Sequence, residues 1–65
     1  MNRDQIEGKW TQYKGHAKET WGKLTDDDLV RAAGKRDQLV GLVQQRYGQA
    51  KADAEHAVDG WFGKL

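Results

Sequence analysis

Two evenly spaced glycine triplets constrain the fold of this chain more than any other feature of its sequence. The triplets are Gly8, Gly15 and Gly22, and Gly34, Gly41 and Gly48. Within each triplet the glycines lie seven residues apart. Each triplet begins with Gly-Lys and ends with an aromatic residue followed by glycine. A repeat of this kind predicts one helical unit used twice.

The segment that contains the first glycine triplet follows the period of an α-helix. Apolar residues recur every three or four positions, at Ile6, Trp10, Tyr13, Ala17, Trp21 and Leu24. These positions share one stripe of a helix, and the first glycine triplet projects on the opposite side. We therefore expect a buried stripe and an exposed glycine face. Each interior glycine weakens such a helix by about 1 kcal/mol relative to alanine.

Capping residues mark the boundary between this helix and the next. Gly22 is suited to a helix C-terminus, where left-handed backbone is needed. Thr25 followed three residues later by Asp28 is typical of a capping box, and Leu24 and Leu29 can form the hydrophobic staple beside it. A new helix should therefore begin directly after Thr25.

Three more helices are predicted after this boundary, at about 26–33, 35–47 and 50–62. The third helix would end at Gly48 and bury Leu39, Val40, Val43 and Tyr47. The fourth would place on one side Ala50, Ala54, Ala57, Val58 and Trp61. Nothing alternates with period two, so no strand is predicted. We expect an all-α, four-helix fold that forms a single domain over residues 1–65.

Composition argues against several classes of protein. The formal net charge is +1 and the pI is near 8.0, whereas nucleic-acid-binding domains usually have a pI above about 9 or a clear basic block. No apolar run approaches the ~20 residues that span a bilayer. The polar start is unlike a secretory signal, and the absence of cysteine fits a reducing cytoplasm. With a mean hydropathy of −0.99, the chain lies near the border of stable folding.

The run Asp26-Asp27-Asp28 is interpreted as helix capping rather than as a metal or acid–base site. A calcium loop needs alternating oxygen ligands, a central glycine and a distal glutamate, which this run lacks. Consecutive residues of a helix also point about 100° apart, so the three carboxylates cannot converge on one ion. Negative charge in a first turn is instead favoured by the helix dipole.

No catalytic, cofactor-binding or metal-binding residue is predicted. His16 and His56 could each pair with a carboxylate three residues on, Glu19 and Asp59 respectively, but two ligands make a poor metal site. The chain has no serine or cysteine, and its threonines (Thr11, Thr20 and Thr25) lack a recognisable base and orienting group. We therefore expect a protein that is not an enzyme and that uses no cofactor.

The aromatic residues and the lysines each allow a binding interpretation as well as a structural one. The aromatic residues could stack on nucleic-acid bases, but their helical spacing favours the core: Trp10, Tyr13, Trp21, Tyr47 and Trp61. Four lysines flank the first stripe and could rest on an anionic membrane: Lys9, Lys14, Lys18 and Lys23. Glu7 and Glu19 dilute that charge, so we interpret the lysines as a solvated face.

Three segments of the chain read WGKLTDDDL at 21–29, GKRDQLVG at 34–41 and RYG at 46–48. Together they resemble the CsbD-like (YjbJ-type) family of small bacterial general stress proteins. The resemblance covers nearly the whole chain, and it is extended by Trp10, Gly15, Ala54, Val58 and Trp61.

The resemblance implies a SAM-domain-like fold in which two α-hairpins pack crosswise. It also implies a cytoplasmic protein that accumulates under general stress or in stationary phase. The family carries no established catalytic or binding residues, so none is transferred.

The sequence departs from the family pattern in two places. Ala32-Ala33 stands where a larger apolar residue and then an acid are expected, which thins the core. Leu42 replaces what is commonly a lysine, and as an exposed leucine it could support a weak self-contact.

Two functions remain open from the sequence. The first is a non-enzymatic stress protein that is hydrophilic and marginally folded, and that protects other macromolecules. The second is a helical module that binds a specific protein or nucleic acid. In both cases we expect a monomer without a membrane span, whose partners are unknown or bind weakly.

Overall fold

Five α-helices follow one another within residues 3–64. The computed structural model describes the backbone of residues 3–64 and the side chains of residues 5–64. The helices are α1 (Arg3–Gly8), α2 (Trp10–Thr20), α3 (Asp26–Ala32), α4 (Arg36–Tyr47) and α5 (Lys51–Lys64). Residues 3–64 contain no strand. The all-α prediction is confirmed, and the predicted number of four helices is wrong. The crosswise, SAM-like packing of two hairpins and the single domain over 1–65 stay predictions.

The first predicted helix is divided in two at Lys9. Its backbone leaves the helical range, at φ −117° and ψ 24°. Hydrogen bonds are kept across the break, because the Lys9 amide donates to the Gln5 carbonyl at 3.1 Å and the Gln12 amide donates to the Lys9 carbonyl at 2.9 Å. The preceding Gly8 weakens the helix at this point. The apolar residues on the two sides of the break, Ile6 and Trp10, are both buried.

The boundary between α2 and α3 differs from the prediction at one glycine. The helix ends at Thr20, and Trp21 leaves it with φ −122° and ψ 78°. Gly22 does not adopt the left-handed backbone predicted for it, since the glycines with positive φ are Gly34 and Gly48. The chain leaves the helical conformation at Trp21, and both Trp21 and Leu24 are buried on the two sides of the turn that follows.

The caps of the later helices follow the sequence pattern. Thr25 and Asp28 form the predicted capping box, in which the Asp28 amide donates to Thr25 Oγ1 and the Thr25 amide donates to Asp28 Oδ2, both at 3.1 Å. Helix α3 ends in left-handed backbone at Ala33. Helix α4 ends at Gly48, with φ 65°, as predicted. Helix α5 continues past Phe62 to Lys64.

Gly34 lies at the closest approach between two backbone segments. Its φ is +78°, and a Cβ atom there would lie 3.0 Å from the Cα of Glu7 in α1. A side chain would therefore strain the turn and collide with the backbone of α1. The turn between α3 and α4 packs directly on α1 for this reason.

Among the side chains that the structure describes, fourteen apolar ones form one core between the helices. They are Ile6, Trp10, Ala17, Trp21, Leu24, Leu29, Ala32, Leu39, Val40, Val43, Ala54, Val58, Trp61 and Phe62. The predicted stripes are thereby confirmed in large part, but Ala50 and Ala57 are exposed. The prediction that Leu42 is exposed is wrong, because it is half-buried and packs against the core with Tyr13 and Tyr47. Val30, by contrast, is 58% exposed.

Candidate functional site

Asp28 is a buried carboxylate that two other elements bind. Its residue is 1% exposed, although it belongs to the first turn of α3. Arg46, near the end of α4, donates from Nε to Oδ2 at 2.9 Å and from Nη2 to Oδ1 at 3.0 Å. Arg31 lies 3.8 Å from Oδ1. With the Thr25 capping bond, every side of this carboxylate is occupied, so Asp28 both caps α3 and ties it to α4.

The surroundings of Asp28 favour its ionised form. The hydrogen bond from Arg46 and then the bond from the Thr25 amide lower the pKa of Asp28 to about 2, from an ordinary value of 3.8. The same hydrogen bond raises the pKa of Arg46. A carboxylate held ionised in this way is a poor general acid or base at neutral pH, because its pKa is far from the working range. The site is therefore suited to structure rather than to proton transfer.

A second ion cluster centres on Arg36 at the start of α4. Its side chain, 17% exposed, binds Asp59 of α5 through Nε at 2.9 Å and through Nη2 at 3.0 Å. Nη2 also donates to Glu55 at 3.1 Å, and Nη1 to Asp37 at 3.2 Å. These hydrogen bonds, from Asp59 first, raise the pKa of Arg36 above its usual value. The cluster fastens α4 to α5 from the solvent side.

Grooves on the surface of the described structure are lined by charges of both signs. One, of about 340 Å³, is lined by Glu7, Lys35, Arg36, Asp37 and Gln38. Another, of about 250 Å³, is lined by Lys14, Gly15, Lys18, Asp26 and Leu29. Within the described residues, no buried side-chain nitrogen or oxygen lacks a hydrogen-bond partner. The polar groups buried in the described structure therefore satisfy one another rather than point toward an absent ligand.

The two histidines, His16 and His56, are both exposed. Asp59, the carboxylate considered as a partner for His56, binds Arg36. Among the described side chains, no three His, Cys, Asp or Glu residues are grouped so that they could hold a metal ion.

The tryptophans pack together within the core rather than on a stacking surface, whereas Tyr13 and Tyr47 are half-buried against it. Trp61 contacts Trp10 edge-on, with ring centroids 6.1 Å apart, and Trp21, with centroids 5.3 Å apart. Phe62 packs on Trp61 at 5.4 Å. The indole Nε1 of Trp10 donates to the carbonyl of Leu29, which joins α2 to the middle of α3. The prediction that the tryptophans are core residues is confirmed.

The lysines of the first segment are spread over different contacts. Lys9, Lys18 and Lys23 are exposed, whereas Lys14 is half-buried. Lys18 Nζ binds the carbonyl of Leu24. The Lys23 ammonium lies 5.1 Å from the ring centroid of Tyr47, whose hydroxyl accepts a hydrogen bond from the Lys23 amide.

None of the helices in the described chain is both long and apolar enough to pass through a bilayer.

Sequence reasoning found one part of these clusters and missed the rest. The capping role of Asp28 was predicted, but its burial and its binding by Arg46 were not. The Arg36 cluster was also missed, although a signal exists, because Glu55 and Asp59 are spaced so that both carboxylates share one face of α5. No local signal indicates which basic residue would meet that face.

Comparison with known proteins places the chain in a family. Residues 4–56 match the model of the family described as CsbD-like. A UPF0337 protein of Pectobacterium atrosepticum is 62% identical over 61 residues, which cover 94% of this chain and 88% of that protein. The UPF0337 protein YjbJ of Escherichia coli K12 is 57% identical with the same coverage. A UPF0337 protein of Bordetella pertussis is 47% identical over 98% of this chain and 97% of its own length. The chain belongs to the CsbD-like family.

Proposed function

We propose that this protein is a non-enzymatic bacterial stress protein of the cytoplasm that protects other macromolecules as a hydrophilic, marginally folded monomer. Membership of the CsbD-like family supports the stress role. The mean hydropathy of −0.99 supports high solubility at high abundance. The absence of serine and cysteine from the chain, and the full pairing of the buried Asp28, support a role without catalysis.

One observation carries the proposal, namely that most glycines stand where packing does not require them. An added Cβ would meet no atom within 4 Å at Gly8, Gly15, Gly22, Gly41, Gly60 and Gly63. All of these except Gly22 lie within helices. Each glycine inside a helix destabilises it by roughly 0.5–1 kcal/mol relative to alanine. Removing a side chain on the solvent side weakens the helices without changing their buried faces.

A helix weakened on its solvent side opens often, and it continues to open in a crowded cell. Crowding favours compact states by only about 0.2–1 kcal/mol, which does not suppress the opening of a marginally stable fold. In dilute solution the helices would open often and expose parts of their apolar stripes. In a drying or crowded cytoplasm these stripes would cover exposed apolar patches on damaged neighbours and keep them from aggregating.

The proposal is tested by protection of a heat-labile enzyme through heating and through drying. The protein should preserve more activity than an equal mass of an inert globular protein. A matched control is the double variant Gly15→Ala, Gly41→Ala, which adds two methyl groups in open space and stabilises two helices. It should protect less than the natural chain. Protection no better than that of the inert protein would overturn the protectant role.

A second candidate function is supported by one surface feature. The groove of about 250 Å³ places Lys14 and Lys18 beside Gly15, where a nucleic-acid backbone could approach closely. Asp26 lies in the same groove and opposes an anionic ligand. Binding of single-stranded DNA that weakens steeply between about 50 and 200 mM salt, and that is lost in Lys14→Gln, would favour this module. Binding that does not respond to salt would exclude it.

A further inference from the structure

Helix α1 is short, and one of its described side chains is fully buried against the remainder of the fold. It is six residues long. Of its described side chains, Ile6 is fully buried, while Gln5 is exposed and Glu7 is half-buried. A helix this short is not stable by itself, so α1 is helical because it is packed on the other helices.

The other four helices are fastened to one another by contacts that do not involve α1. Asp28 and Arg46 join α3 to α4, and Arg36 joins α4 to α5. Trp61 joins α5 to both ends of α2 through the rings of Trp10 and Trp21. Each of these contacts would survive if α1 moved away, so residues 10–64 form a body with its own cross-links.

Two glycines with opposite surroundings lie beside the C-terminal end of α1. Gly8 directly precedes the break at Lys9 and has open space where a side chain would project. Gly34 lies under α1, where an added Cβ would be 3.0 Å from the Glu7 Cα and 3.2 Å from the Ile6 carbonyl oxygen. A methyl group at position 8 would stiffen the junction between α1 and α2. The same group at position 34 would push α1 off the turn between α3 and α4.

We propose that α1 opens as a separate unit, turning about Gly8-Lys9, while α2–α5 stay folded. The closed position is set by the bare Cα of Gly34, and opening withdraws Ile6 from the core. Such partial opening is the general behaviour of short elements that bury little apolar surface, and among the described side chains of α1 Ile6 is the one that is fully buried. The open form exposes the apolar surface that Ile6 covers. This inference is independent of the protectant role, since it concerns which part of the fold opens first.

Thiol labelling measures the opening directly, because the chain contains no cysteine of its own. Ile6→Cys places one buried thiol on α1, and Val43→Cys places one in the core face of α4. With Ellman's reagent in excess, the thiol at position 6 should react at least tenfold faster than the thiol at position 43. Low urea concentrations should accelerate labelling at position 43 and leave the rate at position 6 nearly unchanged.

Alanine at Gly34 and alanine at Gly8 should change the thiol-labelling rate of the Ile6→Cys chain in opposite directions. Gly34→Ala should raise the labelling rate at least fivefold, and Gly8→Ala should lower it about two- to fivefold, consistent with the cost of one helical glycine. Gly41→Ala, a methyl group in open space on α4, serves as the matched control. It should slow labelling at position 43 and leave position 6 unaffected.

Equal labelling rates at the two positions, with equal dependence on urea, would overturn the inference. So would a Gly34→Ala change that accelerates both positions by the same factor, because α1 would then open only with the whole fold. If Val43→Cys does not fold, hydrogen exchange in the unmodified chain provides the comparison. The Gly8 and Lys9 amides should exchange at least tenfold faster than the amides of residues 40–43, and equal protection of the two sets would contradict independent opening.

Discussion

The guanidinium of Arg46 and the carboxylate of Asp28 form two parallel hydrogen bonds of 2.9 and 3.0 Å between the last turn of α4 and the first turn of α3. Asp28 is buried and also closes the capping box with Thr25. One carboxylate therefore fixes both where α3 begins and how α3 lies against α4.

Asp28→Asn should destabilise the protein strongly. The amide cannot accept both hydrogen bonds from Arg46, and it leaves a guanidinium without its counter-charge. We expect the Tm to fall by roughly 10 °C or more for a domain of this size. Asp27→Asn removes the same charge from the same turn at an exposed position, and it should change the Tm only slightly. Equal effects of the two changes in thermal unfolding followed by circular dichroism would contradict the structural role of Asp28.

Stability should fall with acid in a window set by Asp28. Because the folded-state pKa of Asp28 is lowered to about 2 from 3.8, its ionised form stabilises the fold fully above pH 3.8. That contribution is lost as the pH falls toward 2. The Tm of the natural chain exceeds that of Asp28→Asn by an amount that should therefore be constant from pH 7 to about 4. This difference should shrink between pH 4 and 2. A difference that persists unchanged at pH 2 would show that Asp28 is not the titrating group.

The three carboxylates around Arg36 should contribute unequally. Asp59 makes two hydrogen bonds to the guanidinium, Glu55 makes one, and Asp37 is 91% exposed. Neutralisation should lower the Tm most for Asp59→Asn, less for Glu55→Gln and hardly at all for Asp37→Asn, since exposed pairs contribute little. Double-mutant cycles with Arg36→Met should give a coupling that is largest for Asp59 and negligible for Asp37. The reverse order would contradict the observed geometry.

Alanine at open glycines should stabilise the protein, and alanine at a left-handed glycine should not. Gly15→Ala and Gly41→Ala each replace a helical glycine with free space around it. Each should raise the free energy of unfolding by about 0.5–1 kcal/mol. Gly48→Ala also meets no neighbour, but its φ of +65° disfavours a side chain, so it should lower that free energy by roughly 1–2 kcal/mol. Urea unfolding curves with unchanged slope measure all three, and a loss of stability in Gly41→Ala would refute the packing argument.

Local signals in the sequence predicted the elements well. The apolar stripe from Ile6 to Leu24, the capping box at Thr25 and the stop at Gly48 all depend on residues within one or two turns of each other. The division at Lys9 was missed because the stripe continues across it, and the break costs little when the hydrogen bonds are kept. Gly22 was assigned left-handed backbone because glycine often ends helices, but burial of Trp21 ended α2 earlier.

Contacts between distant residues were beyond local patterns. Arg46 reaches Asp28 across 18 positions, and Arg36 reaches Asp59 across 23. Their partners depend on how the helices pack, and the sequence offers several lysines and arginines of similar spacing. Leu42 was expected to be exposed for a related reason, because its place on α4 lies off the main stripe and is covered only once the fold has formed.

Trp61 lies beyond the stretch of the chain that the family model covers. The family match stops at residue 56, yet Val58, Trp61 and Phe62 are buried beyond that point. A fragment cut at residue 56 would keep the whole stretch that the family model covers and still lack the ring on which both other tryptophans pack. The stretch covered by the family model is thus shorter than the buried core, and a domain boundary drawn from that model alone would pass through the core.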